Sequence, residues 1–297
     1  MSARALALAL WCAAAAAPAD AQKLKVHISV DMEGIAGVVT DQQLGPAGFE
    51  YQAARAWMTE ELLAAIAGAR DAGATEIVIA DSHGNGQNLL LDRLPPDVTV
   101  IRSWPRPLGM MEGIDSTVDA ALFVGYHAST ANPAGVRAHT SSSANYAGMQ
   151  LNGVEVPEGG LNAAIAGHFR VPVVFVSGDD QACDEVRRLA GDMEAAVVKR
   201  AISFHAAATM TPEAARALIR QKAKRGVERR RELRPYVMKG PVRLDLTFKN
   251  YRPAEVLAFL PNVQRTASHA IRFTGKDIIE VSRFLQFVGA YEPGLAP

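Results

Sequence analysis

Carboxylate and imidazole side chains recur in this chain where an apolar run gives way to a glycine-bearing loop. Asp31 and Glu33 stand in Ser29-Val30-Asp31-Met32-Glu33-Gly34, and His83 in Asp81-Ser82-His83-Gly84. His127 ends Val124-Gly125-Tyr126-His127, His139 lies in Val136-Arg137-Ala138-His139-Thr140, and Glu158 opens Pro157-Glu158-Gly159-Gly160-Leu161-Asn162. Together these residue types are the donor set of zinc or a similar divalent ion. Asp31, Glu33, His83, His127 and Glu158 offer more donors than the roughly three that one catalytic zinc keeps. They suit two ions about 3.5–4 Å apart that share a carboxylate. Asp31, the first residue past its strand, is the natural bridge. His139 then falls outside the ligand set, placed to move a proton or attack a carbonyl.

Each residue taken singly has a plainer explanation. Asp31 caps a loop equally well, Glu33 passes for a surface carboxylate, and a lone loop histidine is more often hydrogen-bonded than metal-bound. Glu158 is favoured at a helix start by the helix dipole alone. Asp81 fits either a support for an imidazole nitrogen or a strand-end cap, and Asp179 of Gly178-Asp179-Asp180 reads as a helix cap. The case for a site is collective, because the elements around these residues predict that they converge.

Those elements alternate. Leu24 to Val30 is a Val- and Ile-rich strand, Phe49 to Ala72 a helix with Met58, Leu62, Ile66 and Ala69 on one face, and Gly73 its terminating glycine. Strands follow at Glu76 to Ala80, Val98 to Ile101 and Ala120 to Gly125. Asn152-Gly153 marks a hairpin within Tyr146 to Val156, read as an addition to the main sheet. Gly159 to Gly167 is a short helix, Val171 to Val176 a buried strand and Gln181 to Ala190 another helix. The expected fold is α/β: a mostly parallel sheet with helices on both faces. In such sheets ligands bind outside the carboxyl ends of the strands. From about residue 201 to 297 the texture changes to a smaller α+β region, a second domain or an extension. It opens with Thr211-Pro212 capping a basic helix to about Arg234. Strands follow near Val242 to Phe248 and Ala270 to Thr274, then a helix from Lys276 to Val288. Residues 22–200 are expected to carry the metal-binding catalytic part.

Composition narrows the function. The chain has 297 residues, with Lys plus Arg and Asp plus Glu both at 31. No global field draws it to nucleic acid, and the basic run from Arg216 to Arg231 lacks the interleaved aromatics of a nucleic-acid surface. Residues 1–21 read as a secretory signal peptide: a short positive start, an apolar run from Ala5 to Ala17, and Ala19-Asp20-Ala21 for cleavage. That run falls short of the roughly 20 apolar residues of a membrane anchor, so a secreted or periplasmic protein is expected. Cleavage leaves Cys183 as the remaining cysteine. It has no disulfide partner and reads as a packed thiol.

Six ordered blocks make the chain similar to the zinc-dependent D-aminopeptidase family of the bacterial dipeptide-transport operon type. They are Ser29 to Ile35, Asp81-Ser82-His83, Gly125-Tyr126-His127-Ala128, Gly135 to His139, Gly159 to Ala163 and Gly178-Asp179-Asp180. The resemblance implies that Asp31, Glu33, His83, His127 and Glu158 hold two zinc ions per subunit and that His139 is the catalytic residue. It also implies release of N-terminal D-amino acids such as D-Ala from short peptides, and a ring-like homo-decamer. The residues alone leave open two other readings: a non-catalytic periplasmic metal- or peptide-binding module, and a metallohydrolase of ester or phosphoester chemistry. For the last, only Arg137 lies among the motifs as a phosphate clamp.

Overall fold

The computed structural model describes residues 23–291; the expected signal peptide lies outside them. In chain order the regular elements are strand β1 (Lys25–Val30), helix α1 (Tyr51–Asp71), β2 (Glu76–Asp81), β3 (Val98–Ile101), β4 (Ala120–Tyr126), β5 (Tyr146–Leu151), β6 (Val154–Glu155) and α2 (Glu158–His168). Then come β7 (Val173–Asp179), α3 (Asp180–Ala190), β8 (Glu194–Ser203), β9 (Ala206–Thr209), α4 (Pro212–Glu228), β10 (Val242–Phe248), α5 (Tyr251–Leu257), β11 (Val263–Ala267), β12 (Ala270–Gly275) and α6 (Ile278–Ala290).

A seven-stranded sheet in the order β3-β2-β1-β4-β7-β8-β9 forms the centre, parallel throughout except for the β8–β9 pair. β4 and β7 are buried at every position, the pattern of parallel strands covered on both faces. One face carries a core of α1 and α4 residues, including Met58, Leu62, Ile219 and Val227. The other carries a core that runs from Phe123 and Val176 through α2 into the second sheet. The α/β expectation is met. The chain winds outward through β1, β2 and β3 and then crosses back to β4, so the strand order reverses between β1 and β4. The carboxyl edge at such a reversal is where α/β sheets bind ligands.

The second sheet is antiparallel, β11-β12-β10-β5-β6. The Asn152-Gly153 hairpin therefore joins this sheet and not the parallel one, with β5 lying alongside β10. Both turn residues have positive φ, 52° and 85°, which Asn-Gly supplies at low cost. The basic helix is shorter than its pattern predicts, ending at Glu228. Its cations are largely consumed: Arg216 pairs with Glu60, Arg220 with Asp71, and Lys222, Arg225 and Arg229 with the buried carboxylate of Glu194 on β8. Among the described residues no helix is long and apolar enough to cross a membrane. Cys183 is buried, and burial pushes its thiol pKa up, as befits a packed thiol.

Candidate metal centre

Adjacent strands β2, β1 and β4 deliver His83, Asp31 and His127 to one edge, just past their last residues. Two glycines let the chain close there. Gly34 donates its amide to the Gly125 carbonyl at 2.7 Å, and a Cβ on Gly34 would collide with the backbone of Gly125 and Tyr126. Gly125 itself has φ +72°, and a Cβ there would meet the Asp31 carbonyl. Glu158 enters as the first residue of α2, its Oε1 accepting the Ser141 amide at 2.7 Å.

The side chains form two groups whose ligand atoms lie within 4.8 Å of one another: Asp31, Glu33 and His83, and His127, His139 and Glu158. Asp31 joins them. Its Oδ1 is 3.3 Å from His83 Nδ1, and its Oδ2 is 3.3 Å from His127 Nε2. Glu33 Oε2 lies 2.8 Å from His83 Nδ1, and Glu158 Oε2 lies 3.4 Å from His127 Nε2. All five are nearly closed to solvent, whereas the His139 side chain keeps 14% of its exposure. His139 stacks on His127 with ring centres 4.0 Å apart, its Nε2 3.7 Å from Glu158 Oε1. The structure thus seats His139 within the second group, closer than a residue merely near it.

Each histidine is turned the same way. His83 Nε2 donates to the Leu44 carbonyl at 2.7 Å, His127 Nδ1 to Ala128 at 3.1 Å and His139 Nδ1 to Arg137 at 2.9 Å. A ring nitrogen bonded to a carbonyl must carry the proton, so in each neutral ring the lone pair faces the carboxylates. Second-layer carbonyls orient metal-binding histidines in this manner. Asp31 Oδ2 and His127 Nε2 are also buried with no hydrogen-bond partner, a costly arrangement without a compensating group between them. The donor set and its unsatisfied atoms fit divalent cations.

The protein alone balances these charges with protons. Burial disfavours charged imidazoles at His83 and His127, but the facing carboxylates of Glu33, Asp31 and Glu158 outweigh it and raise both pKa values well above the ordinary range. Burial likewise pushes Glu33 and Glu158 up, and the facing histidines overcome it, holding both below the usual carboxylate range. Asp31 goes the other way, raised by burial and by the Glu33 charge. Divalent ions would take the place of those imidazole protons.

Beneath the site a buried polar chain ties the ligand-bearing elements together. Asn162 Nδ2 donates to Tyr126 Oη at 2.8 Å, Tyr126 Oη donates to Ser29 Oγ at 2.7 Å, and Ser29 Oγ meets Ser82 Oγ at 3.0 Å. Each member lies within four residues of a ligand on its own element. Asp81 does not touch an imidazole. Its carboxylate accepts from the Asn88 and Leu89 amides and the Asn88 side chain, closing the loop that carries His83. Asp179 caps α3 through the Ala182 amide and also accepts the Val136 amide at 2.7 Å, tethering the His139 loop. Arg137 points away from the centre, pairing with Asp41 and lying over Phe204, so it is no clamp over the ligands. Lys199 and Glu61, buried beside the Glu33 segment, carry no sequence signal beyond a charge within an apolar pattern.

A reversal-edge cluster of carboxylates and inward-turned histidines defines an α/β protein built around a metal-type site. The chain matches the D-aminopeptidase peptidase family, M55, over residues 24–287. A D-aminopeptidase from Bacillus subtilis strain 168 is 35% identical over 257 residues, spanning 86% of this chain and 93% of the relative. The solved structure described as the Zn-dependent D-aminopeptidase DppA from Bacillus subtilis, a self-compartmentalizing protease, aligns with a TM-score of 0.86 at 32% identity. The match covers 92% of this chain and 100% of that one. The chain belongs to the D-aminopeptidase family and is a peptidase, a hydrolase of the aminopeptidase type.

Proposed function

We propose that this protein is a dinuclear zinc aminopeptidase that releases N-terminal D-amino acids, D-Ala among them, from short peptides. The observation that carries the reading is Asp31, whose two oxygens face one histidine of each group at 3.3 Å. In this assignment Asp31 would be shared by both ions, Glu33 and His83 would hold one with it, and His127 and Glu158 would hold the other. Bound zinc would supply a water acidic enough to attack at neutral pH and a Lewis acid for the peptide carbonyl. The chain supplies the rest. Its carboxylates and oriented rings set the ligand geometry, and closure of the edge around them limits bulk water. His139 is the most exposed member of the cluster, and its Nδ1 is committed to Arg137. Its Nε2 is therefore the group free to take a proton from the attacking water and return it to the departing amine.

The relative described as self-compartmentalizing supports a ring homo-oligomer here too, a decamer by family resemblance, admitting short peptides and excluding folded proteins. Light scattering on the purified protein measures its size, and a monomer would remove that part of the reading. The composition of residues 1–21 supports a secreted or periplasmic location, checked by whether the exported chain begins after Ala21. The activity itself is tested with paired L- and D-Ala dipeptides and zinc-loaded protein. Free D-alanine is the expected product; zinc binding without release of alanine of either hand would instead indicate a binding module.

A further inference from the structure

Lys199 on β8 is 2% exposed, yet its ammonium ends among backbone carbonyls, with no ion-pair partner among the described residues. It donates to the carbonyl oxygens of Glu33, of Ile35 at 3.0 Å, and of Val38. A lysine ammonium has three N–H donors and no acceptor, so these oxygens use every donor it has. Burial works against its charge and lowers its pKa to about 8, while the carboxylates of Asp179, Glu61, Glu33 and Asp31 pull it back up. A buried ammonium is costly. This one is directed at a single short piece of chain, the turn that leaves β1 and carries Glu33.

The same turn is gripped from two other elements. Glu61 of α1, itself 1% exposed, accepts the Ala36 amide at 2.9 Å. The Gln43 side chain donates to the Gly37 carbonyl at 2.7 Å. The second group shows no buried cation of this kind among the described residues: its supports are backbone groups at Ser141, Ala128 and Arg137, with the carboxylates of Asp179 and Glu185 accepting the Val136 and Ser129 amides.

We infer that Lys199, backed by Glu61, is a positioning residue for the Asp31–Glu33–His83 half of the centre, fixing the Glu33 backbone so that its carboxylate meets the ion shared with His83. The inference rests on the dinuclear reading above and adds to it a selectivity: the support serves one ion and not the other.

Zinc titration of the purified protein against a competing chromophoric chelator, which resolves stoichiometry and stepwise affinity, tests it. The proteins compared are wild type, Lys199→Met, Glu61→Ala and Glu61→Gln. Loss of a supporting contact around metal ligands weakens binding by about 10–100-fold. Lys199→Met is expected to weaken one ion by that factor and leave the other within roughly twofold. Glu61→Ala should weaken the same ion to a smaller degree, and Glu61→Gln, which keeps an oxygen for the Ala36 amide, should restore it. A merely structural lysine would weaken both ions in parallel or neither, and either result overturns the assignment. Should Lys199→Met fail to fold, the Glu61 pair decides: wild-type affinity in Glu61→Ala overturns it. A wild-type protein that binds fewer than two ions overturns the dinuclear reading itself, a result visible before any variant is compared.

Discussion

Glu33 and His83 reach the centre on loops secured from a distance, by a buried cation on β8, a buried carboxylate on α1 and the Leu44 carbonyl. His127 and Glu158 reach it from regular structure, one residue past β4 and at the first position of α2, steadied by neutral backbone groups close by. Both halves present a similar donor set, yet one depends on tertiary anchors and the other on the ends of rigid elements. Loops place ligands well only when over-determined by their surroundings. The halves should therefore answer differently to mutation, with Asp31 the one residue that belongs to both.

The largest contrast expected is between Asp31→Ala and Glu158→Ala. Removing Asp31 takes a ligand from each half, so both zinc ions should be lost and turnover should fall by on the order of a thousandfold or more, given several kcal/mol of metal-supplied stabilisation. Removing Glu158 should release one ion and keep the ion of Asp31, Glu33 and His83. Metal analysis after gel filtration reads this directly. Equal loss in the two variants would mean that the halves are not separable.

His139→Ala sharpens the comparison inside the second half. Its ring stacks on His127 and sits near Glu158, so distance alone admits it as a ligand. As the proton carrier it should be removable with both ions retained, while kcat drops by about 10²–10⁴-fold, the usual scale of general acid–base catalysis. Loss of one zinc equivalent would make it a ligand instead.

The sequence discloses these halves unequally. Strand ends with acidic or imidazole residues are readable because a buried parallel strand announces itself by an unbroken apolar run, as in Ala120 to Gly125, and because its carboxyl end is where sites form. Asp31, Glu33, His83 and His127 are legible on that ground; Glu158, at a helix start, and His139, in a loop, are singled out by residue type and by the family resemblance. The anchors are not. Lys199 follows Val197-Val198 and precedes Arg200, which reads as an exposed charge, and the carbonyls it holds lie 161–166 residues earlier. Glu61 directly follows Glu60 in the helix sequence and reveals itself only through the Ala36 amide. β8 and β9 are hard to read for a related reason: charged residues interrupt β8, and β9 is mostly alanine, which has little strand preference. Likewise Asn152-Gly153 announces a turn, but nothing local says which sheet receives its strands; that is settled by β10, some ninety residues on.

A smaller effect isolates the charged anchors from the metals altogether. Burial pushes the Glu61 carboxyl up to about 7, against the downward pull of the Ala36 amide and of the Lys199 and Arg216 charges. With the folded pKa above the unfolded value near 4.5, the folded state holds this proton more tightly. The resulting stability is fully present below about pH 4.5 and is lost as pH rises through about 7, a change of at most roughly 3 kcal/mol. Glu61→Gln removes the titration and should flatten this part of the stability profile, leaving the variant more stable than wild type at pH 8 relative to pH 5. Urea midpoints of the metal-free proteins at the two pH values measure it. The histidines and carboxylates of the centre titrate in both proteins and cancel in the difference, so an unchanged wild-type-minus-variant gap would show that Glu61 is already ionised in the fold. The Glu33 turn would then be held by a charged pair across its backbone, and the contrast between the halves would be sharper still.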